Sequence, residues 1–352
     1  MRQLHSLLRL LIAAVLFIGT ANAVYGQVPA KKREFRGAWI QCVNGQFQGI
    51  GTEEMQRTLR YQLDELQRDG VNAIIFQVRA ECDALYPSKY EPWSKFLTGR
   101  QGTPPSPYWD PLQWMITECH DRGMELHAWV NPYRGASNTD VPLASNHPAR
   151  RFPHLYIKYG KQLVMDPGNP QSITYIASVI KDIVQRYDVD GIHFDDYFYP
   201  YPKDGVELND DESFSRYGLS TGYEPDQKDR WRRTNVNQLI YTIRQTLLET
   251  KPWVRFGISP FGIYRNQGSW SRGSKTSGLQ AYDDLSADVL HWAKEGWIDY
   301  VIPQIFQSVL LTVELELSFL PGFFGGVSIY LRRSPRSSTS VSMSSVRWML
   351  DS

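Results

Sequence analysis

The sequence predicts an α/β protein, a parallel (β/α) barrel of TIM type that is incomplete at its C-terminal end. Two observations carry this reading. Between Phe35 and Ile305, six short and nearly continuous apolar runs alternate with longer amphipathic stretches, the pattern of strands covered on both faces and joined by right-handed helical crossovers. Polar residues also crowd at the carboxyl ends of the runs, where β/α barrels place their sites. An open doubly wound sheet is the competing architecture. Its nucleotide-binding versions carry a Gly-rich turn after the first strand, and Gly37-Ala38-Trp39-Ile40 offers none.

The predicted strands are Arg36–Gln41, Ala73–Val78, Glu125–Val130, Gly191–Asp195, Arg255–Ser259 and Tyr300–Gln304. After the first, Thr52 is placed to cap a helix with Met55, Leu59, Leu63 and Leu66 on one stripe, closed by Gly70. Asp110-Pro111 reads as an N-cap followed by Pro at the first helical position, with Gly123 as the stop. Asn169-Pro170 opens a third helix that turns Ile173, Ile176, Ile180 and Ile183 inward. A fourth runs from about Asp229 to Glu249 with Val236, Leu239, Ile243 and Leu247, and a fifth covers about Leu285 to Lys294.

The ends read differently. Arg2 and Arg9, an apolar run from Leu10 to Ile18 too short to cross a bilayer as a helix, and Ala21-Asn22-Ala23 together predict a signal peptide over residues 1–23. The mature protein is therefore expected to be secreted or periplasmic, with no integral membrane segment after cleavage, and no Cys follows the apolar run to anchor a lipid. The barrel is expected over 32–306, long enough for one large core. Residues 307–352 lose the helix-strand rhythm and end in a Ser-rich stretch, Ser337 to Ser345, which reads as an aberrant tail from a shifted frame or a truncated gene. Two more strand-helix units are needed to close an eight-stranded barrel, and this segment resembles neither.

Composition excludes some classes of function. A net charge of +1 with no basic run near the middle argues against a nucleic-acid partner. Cys42, Cys82 and Cys119 make neither a disulfide framework nor a zinc pattern. Aromatic residues at 13% suit stacking on sugar rings and equally suit an ordinary core.

The sharpest motif is Asp190-Gly191-Ile192-His193-Phe194-Asp195-Asp196-Tyr197-Phe198-Tyr199 at the end of the fourth predicted strand. Side chains alternate along a strand, so His193 and Asp195 face the lumen while Ile192 and Phe194 face the helices. A carboxylate there is placed to attack an anomeric carbon, which makes Asp195, with Asp196 beside it, the candidate catalytic pair. The alternative is that either acid caps the following loop. On the second strand's loop, Arg79 is expected to orient Glu81 and Asp83, the first-ranked candidates for the partner acid, although the same pattern also fits a solvated loop. His127 reads either as a ligand of a sugar hydroxyl or as a buried, satisfied His. Asn131 and Tyr133 lie where the third strand meets its loop, and Asp166-Pro167-Gly168 reads as a structural turn. Asp283 and Asp284 either enter the site or cap the fifth helix. Trp39, Gln77, Arg79, His127, Asn131, Tyr133, His193, Tyr197, Asp283 and Gln304 form the expected substrate-binding set, and no cofactor or metal is expected.

These residues carry a resemblance. Arg36-Gly37-Ala38-Trp39, the block Gln77 to Ser88, His127-Ala128-Trp129-Val130-Asn131-Pro132-Tyr133, Asp166-Pro167-Gly168, Phe194-Asp195-Asp196-Tyr197-Phe198-Tyr199, Gly257-Ile258-Ser259-Pro260, Arg265-Asn266 and Pro303-Gln304-Ile305 resemble glycosyl-hydrolase-like family 10, formerly domain of unknown function 187. The match runs in order from about Glu34 to Ile305. It implies a barrel distantly related to α-amylase and other β/α-barrel glycosidases, in exported bacterial proteins, some acting on peptidoglycan strands stripped of their peptides. It implies Asp195 as nucleophile. Family members usually continue past the equivalent of Ile305 with an aromatic pair and two further strand units, whereas this chain breaks at Phe306-Gln307. A polysaccharide or glycan strand is thus the expected substrate. Two other readings compete: a metal-dependent polysaccharide deacetylase with His193, Asp195, His127 and the loop acids as ligands, and a non-catalytic carbohydrate-binding protein. The first strand has no His-X-His pair, which weighs against the deacetylase.

Overall fold

The structure is a computed structural model that describes residues 34–305 and the two-residue strands Ile329–Tyr330 and Ser345–Val346, which pair antiparallel. The predicted leader at 1–23 lies outside the described residues, as does the predicted tail apart from those two strands. By its contacts the chain divides into Met1–Glu34 and Phe35–Ser352, and the architecture here is that of the second unit.

Six parallel strands, β1 (Gly37–Ile40), β2 (Ala73–Arg79), β3 (Glu125–Val130), β7 (Gly191–Phe194), β8 (Arg255–Ile258) and β9 (Tyr300–Val301), form one sheet in the order β1-β2-β3-β7-β8-β9. Among the described residues β1 and β9 are its edges, so the sheet is a half-barrel of TIM type, as expected. All six predicted strands are present. Several end a residue or more earlier than predicted, because Asp195, Ser259 and Gln304 already belong to the loops that carry the site.

Helices α1 (Thr52–Arg68), α2 (Pro111–His120), α3 (Pro170–Arg186), α4 (Lys228–Thr250) and α5 (Val289–Lys294) fill the crossovers. The predicted stripes of α1, α3 and α4 are buried against the outer face of the sheet, where Ile74, Phe76, Leu126, Ala128, Ile192, Phe194 and Phe256 are fully covered. Each such aliphatic side chain contributes about 1.5–3 kcal/mol relative to exposure. Asp110 and Asn169 cap α2 and α3 through Gln113 N and Gln171 N, as expected. Thr52 does not cap α1: Gly51 holds that position, and the Thr52 hydroxyl donates to Pro107 O at 2.7 Å. The fifth helix starts at Val289 rather than near Leu285, with Asp288 as its cap, because the preceding residues form a turn.

One layer is not legible in the sequence. Between β3 and α3 an antiparallel ribbon, β4 (Arg134–Ala136), β5 (Tyr156–Tyr159) and β6 (Gln162–Met165), pairs in the order β4-β6-β5. Its strands are three or four residues long and mixed in polarity, too short for an alternation signal. The Asp166 turn that follows is structural, with Gly168 N donating to Asp166 Oδ1 at 2.8 Å.

The lumen is packed rather than open. Strand register sets His127 beside Gly191, and His193 beside Gly257, which in turn pairs with Tyr300. A Cβ on Gly191 would lie 2.2 Å from the His127 ring, and one on Gly257 1.9 Å from the Tyr300 ring. These two glycines leave the space in which the rings lie over the neighbouring strand. The Tyr300 hydroxyl then shares hydrogen bonds with His127 Nδ1 at 2.7 Å and His193 Nδ1 at 3.1 Å, and Phe35, Trp39, Ile75, Trp129 and Ile302 fill the remainder.

Candidate active site

Asp195 and Asp196 follow β7 at the carboxyl end of the sheet, and both are buried. Asp195 Oδ2 accepts hydrogen bonds from Trp129 Nε1 at 3.0 Å and from Asn131 Nδ2, and its Oδ1 accepts from Tyr197 N at 3.3 Å. Trp129 and Asn131 come from β3 and its end, because β3 pairs with β7 and sends alternate side chains to the same face. Asp196 is held from the other side: Tyr201 donates to Oδ2, and Gln304 Nε2 donates to Oδ1 at 3.0 Å and to Ser259 O at 2.9 Å.

The cage around Asp195 has a fixed polarity. Cys42 N donates to Gln77 Oε1 at 3.0 Å, so the Gln77 amide must turn its Nε2 toward Asn131 Oδ1, at 2.8 Å. Asn131 therefore has its own Nδ2 directed at Asp195. A backbone N–H can only donate, so it settles both amide orientations. Those donors favour the ionised carboxylate, yet the carboxyl is pushed up to about 7, first by burial and then by the neighbouring Asp196, with the Arg134 charge pulling the other way. Burial raises Asp196 as well, against the bonds from Tyr201 and Gln304. Two coupled acids that burial raises can share one proton, which leaves one an attacking base and the other protonated.

The other predicted residues are dispersed. Gln77 and Asn131 belong to the cage, and Gln304 holds Asp196. Trp39 is half-buried in the lumen beside His193, with ring centroids 6.0 Å apart. His193 is fully buried and held well below the usual histidine range by burial and by His127, so it is neutral, a spacer under the acids. His127 is the buried, satisfied histidine of the two readings. It is level with Gly191, four residues below Asp195 and so about 13 Å away along the strand, and it is engaged by Tyr300 and by Glu125 Oε2 at 3.1 Å. Tyr133 is turned into the core, 1% exposed, and does not line the mouth. The Tyr197 ring stacks on Tyr201 and carries Arg134 at 3.7 Å.

Arg79 corrects an expectation. It does not orient Glu81 or Asp83: it is fully buried and pairs with Glu91 through Nη2 to Oε1 at 2.7 Å and Nε to Oε2 at 2.8 Å. A buried guanidinium requires a buried counter-charge in bidentate geometry, and Glu91 supplies it. Glu81 is instead bound by Lys95 at 2.6 Å and by Ser137 N at 3.0 Å. Asp83 accepts from Gln101 Nε2 at 3.1 Å and Glu81 N at 3.1 Å, and burial raises its carboxyl. Asp283 forms a bidentate pair with Arg265 at 2.8 and 3.0 Å, and Asp284 accepts from Gln280 N at 2.7 Å. Neither caps α5. Both line a cavity of about 630 Å³ together with Tyr199, Lys228 and Arg232, and neither Asp195 nor Asp196 is part of its lining.

Trp129, Tyr201 and Arg134 act on the acid pair and are absent from the predicted site. Trp129 is within reach of sequence reasoning, since it is two residues from His127 and two from Asn131 on one strand face. Tyr201 and Arg134 are not, because a loop and a ribbon without a sequence signal carry them. Among the described residues no three His, Cys, Asp or Glu side chains come together so as to hold a metal ion, and the two histidines of the deacetylase reading converge on the Tyr300 hydroxyl.

The chain resembles known proteins in sequence and in fold. The family model for glycosyl hydrolase-like 10 matches residues 34–318. The glycosyl hydrolase YngK of Bacillus subtilis (strain 168) is 42% identical over 311 residues, covering 86% of this chain and 60% of the relative. The glycosyl hydrolase DigH of Escherichia coli (strain K12) is 40% identical over 261 residues, 71% of this chain and 58% of the relative. The chain thus spans about three-fifths of the length of these relatives. Among solved structures, the glycoside hydrolase domain of PgaB (BpsB) from Bordetella bronchiseptica superposes with a TM-score of 0.51 at 12% identity, over 77% of this chain and 74% of that domain, and so shares the fold. With a family match over most of its length and a half-barrel that carries paired acids at its carboxyl end, the chain belongs to the glycosyl hydrolase-like 10 family.

Proposed function

We propose that this chain is an exported glycoside hydrolase that cuts glycosidic bonds in peptide-free peptidoglycan strands, with Asp195 as its nucleophile. The observation that carries the reading is the cage on Asp195. Three N–H donors fix the carboxylate, and two of them bind Oδ2, which leaves Oδ1 with a single long bond. Asp196 is coupled to it by charge, so the two carboxyls share a proton between them. The protonated acid supports departure of the leaving sugar while the ionised one attacks or stabilises an oxocarbenium-like transition state.

The test is appearance of new reducing ends when the purified chain meets peptide-free strands. Asp195→Asn keeps the shape and removes the charge, so turnover falls by at least about 10³-fold while strand binding persists. Equal turnover in the variant would remove Asp195 from the chemistry. Among the described residues the sheet has six strands of a barrel, which favours a second reading, a carbohydrate-binding protein, whose signature is binding by both proteins and new reducing ends from neither.

A further inference from the structure

Arg134 opens β4, immediately after the Asn131-Pro132-Tyr133 run that cages Asp195. Its guanidinium lies 3.7 Å over the Tyr197 ring, which stacks on Tyr201 with centroids 5.1 Å apart, and Tyr201 in turn donates to Asp196. That chain of contacts joins it to the acid pair, where its charge opposes the upward push of burial on both carboxyls.

This arginine lacks an acceptor, as does the half-buried Arg233 over the Tyr282 ring, and only Arg134 is joined through Tyr197 and Tyr201 to the acid pair. Other half-buried arginines of the barrel have one: Arg186 pairs with Asp182, Arg232 with Asp210, Arg244 with Asp299 and Arg265 with Asp283. Among the described residues the Arg134 guanidinium makes no hydrogen bond and no ion pair within 4.0 Å, although two carboxylates stand beside it. Those carboxylates already have their partners in Trp129, Asn131, Tyr201 and Gln304. A guanidinium presents five N–H donors in a planar fork that matches a carboxylate, and it can rest on an aromatic face while it does so.

We propose that Arg134 is the anchor for a carboxylate on the substrate, so that the site selects a glycan whose sugar next to the scissile bond carries a free carboxyl group. The proposal rests on the hydrolase reading above and deepens it. A lactyl ether with its acid free is one source of that group, and it becomes available only when no peptide occupies it. A uronic acid is the other source.

The experiment compares kcat/KM for four probes with the full chain: lactyl-ether-bearing oligosaccharides with free carboxylates, the same oligosaccharides as methyl esters, N-acetylglucosamine oligomers and oligo-uronates. The wild type is expected to prefer the free acid over its ester by about 10- to 100-fold, the effect of one hydrogen-bonded charge. In Arg134→Met that ratio collapses to about one, chiefly through KM. Arg134→Lys keeps the charge without the fork and retains part of the ratio, which also serves if the Met variant does not fold. Because the ratio is taken within one variant, a general loss of activity cancels. Equal rates on acid and ester in the wild type, or an unchanged ratio in Arg134→Met, would overturn the proposal and leave Arg134 as a counter-charge for the acid pair. If no probe is cleaved, the hydrolase reading fails by itself, and calorimetric binding of acid and ester decides: tighter binding of the acid that Arg134→Met abolishes supports the anchor, and equal binding overturns it. Preference for oligo-uronate over the lactyl acid keeps the anchor and rejects the peptidoglycan assignment.

Discussion

Replacement of Asn131 by Leu tests the cage most directly. Leu has nearly the same volume and the site is fully buried, so the change removes the Nδ2 donor to Asp195 without opening a large void. A hydrogen bond to a charged group is worth about 1.5–3 kcal/mol. At about 1.36 kcal/mol per pKa unit, its loss raises the Asp195 pKa by roughly 1–2 units. The sign follows from the donor: it favours the ionised form, so removing it favours the protonated one. The acid limb of kcat/KM, which reports the free enzyme, lies near 7 in the wild type if it follows Asp195, and it moves upward in the variant. Activity then falls about tenfold or more at pH 7 and much less at pH 9. The Gln77 Nε2 group also loses its acceptor, which costs about 1–3 kcal/mol of stability by thermal melting. A pH–rate profile on the cleaved oligosaccharide makes the measurement, and carbon NMR of the Asp195 carboxyl gives the same titration without turnover. A uniform loss at every pH with an unmoved limb would refute the electrostatic argument and leave Asn131 a purely steric support.

Two further substitutions address the scaffold beneath the site. Gly257→Ala places a methyl group where the Tyr300 ring lies, an overpacking expected to cost about 3 kcal/mol or more, and an additional Tyr300→Leu change should restore part of it in denaturant melts. A wild-type midpoint in the single variant would mean that the lumen is not packed as described. Glu91→Gln leaves the fully buried Arg79 without its counter-charge and is expected to lower stability by about 3–5 kcal/mol, with a loss below about 1 kcal/mol contradicting the pair.

The sequence by itself determined the repeating unit and the identity of the acids. Strands covered on both faces must be apolar throughout, and the crossover helices must bury one stripe, so the six runs and the stripes of α1, α3 and α4 are legible in the order of the residues alone. Alternation along β7 also places His193 and Asp195 on the lumen side, because side-chain direction in a strand is a local property. Tertiary structure decided which groups meet. Arg79 and Glu91 are twelve residues apart with other acids between them, and only burial selects that partner. His127 and Asn131 share a strand face and read alike, yet the length of β3 sets one at the floor with Tyr300 and the other against Asp195. The loop that brings Tyr201 to Asp196 and the ribbon that brings Arg134 over Tyr197 have no periodicity from which their contacts could be read. Periodicity records how a segment faces its own layer, whereas the polarity and charge of a site depend on residues that distant segments deliver to one point.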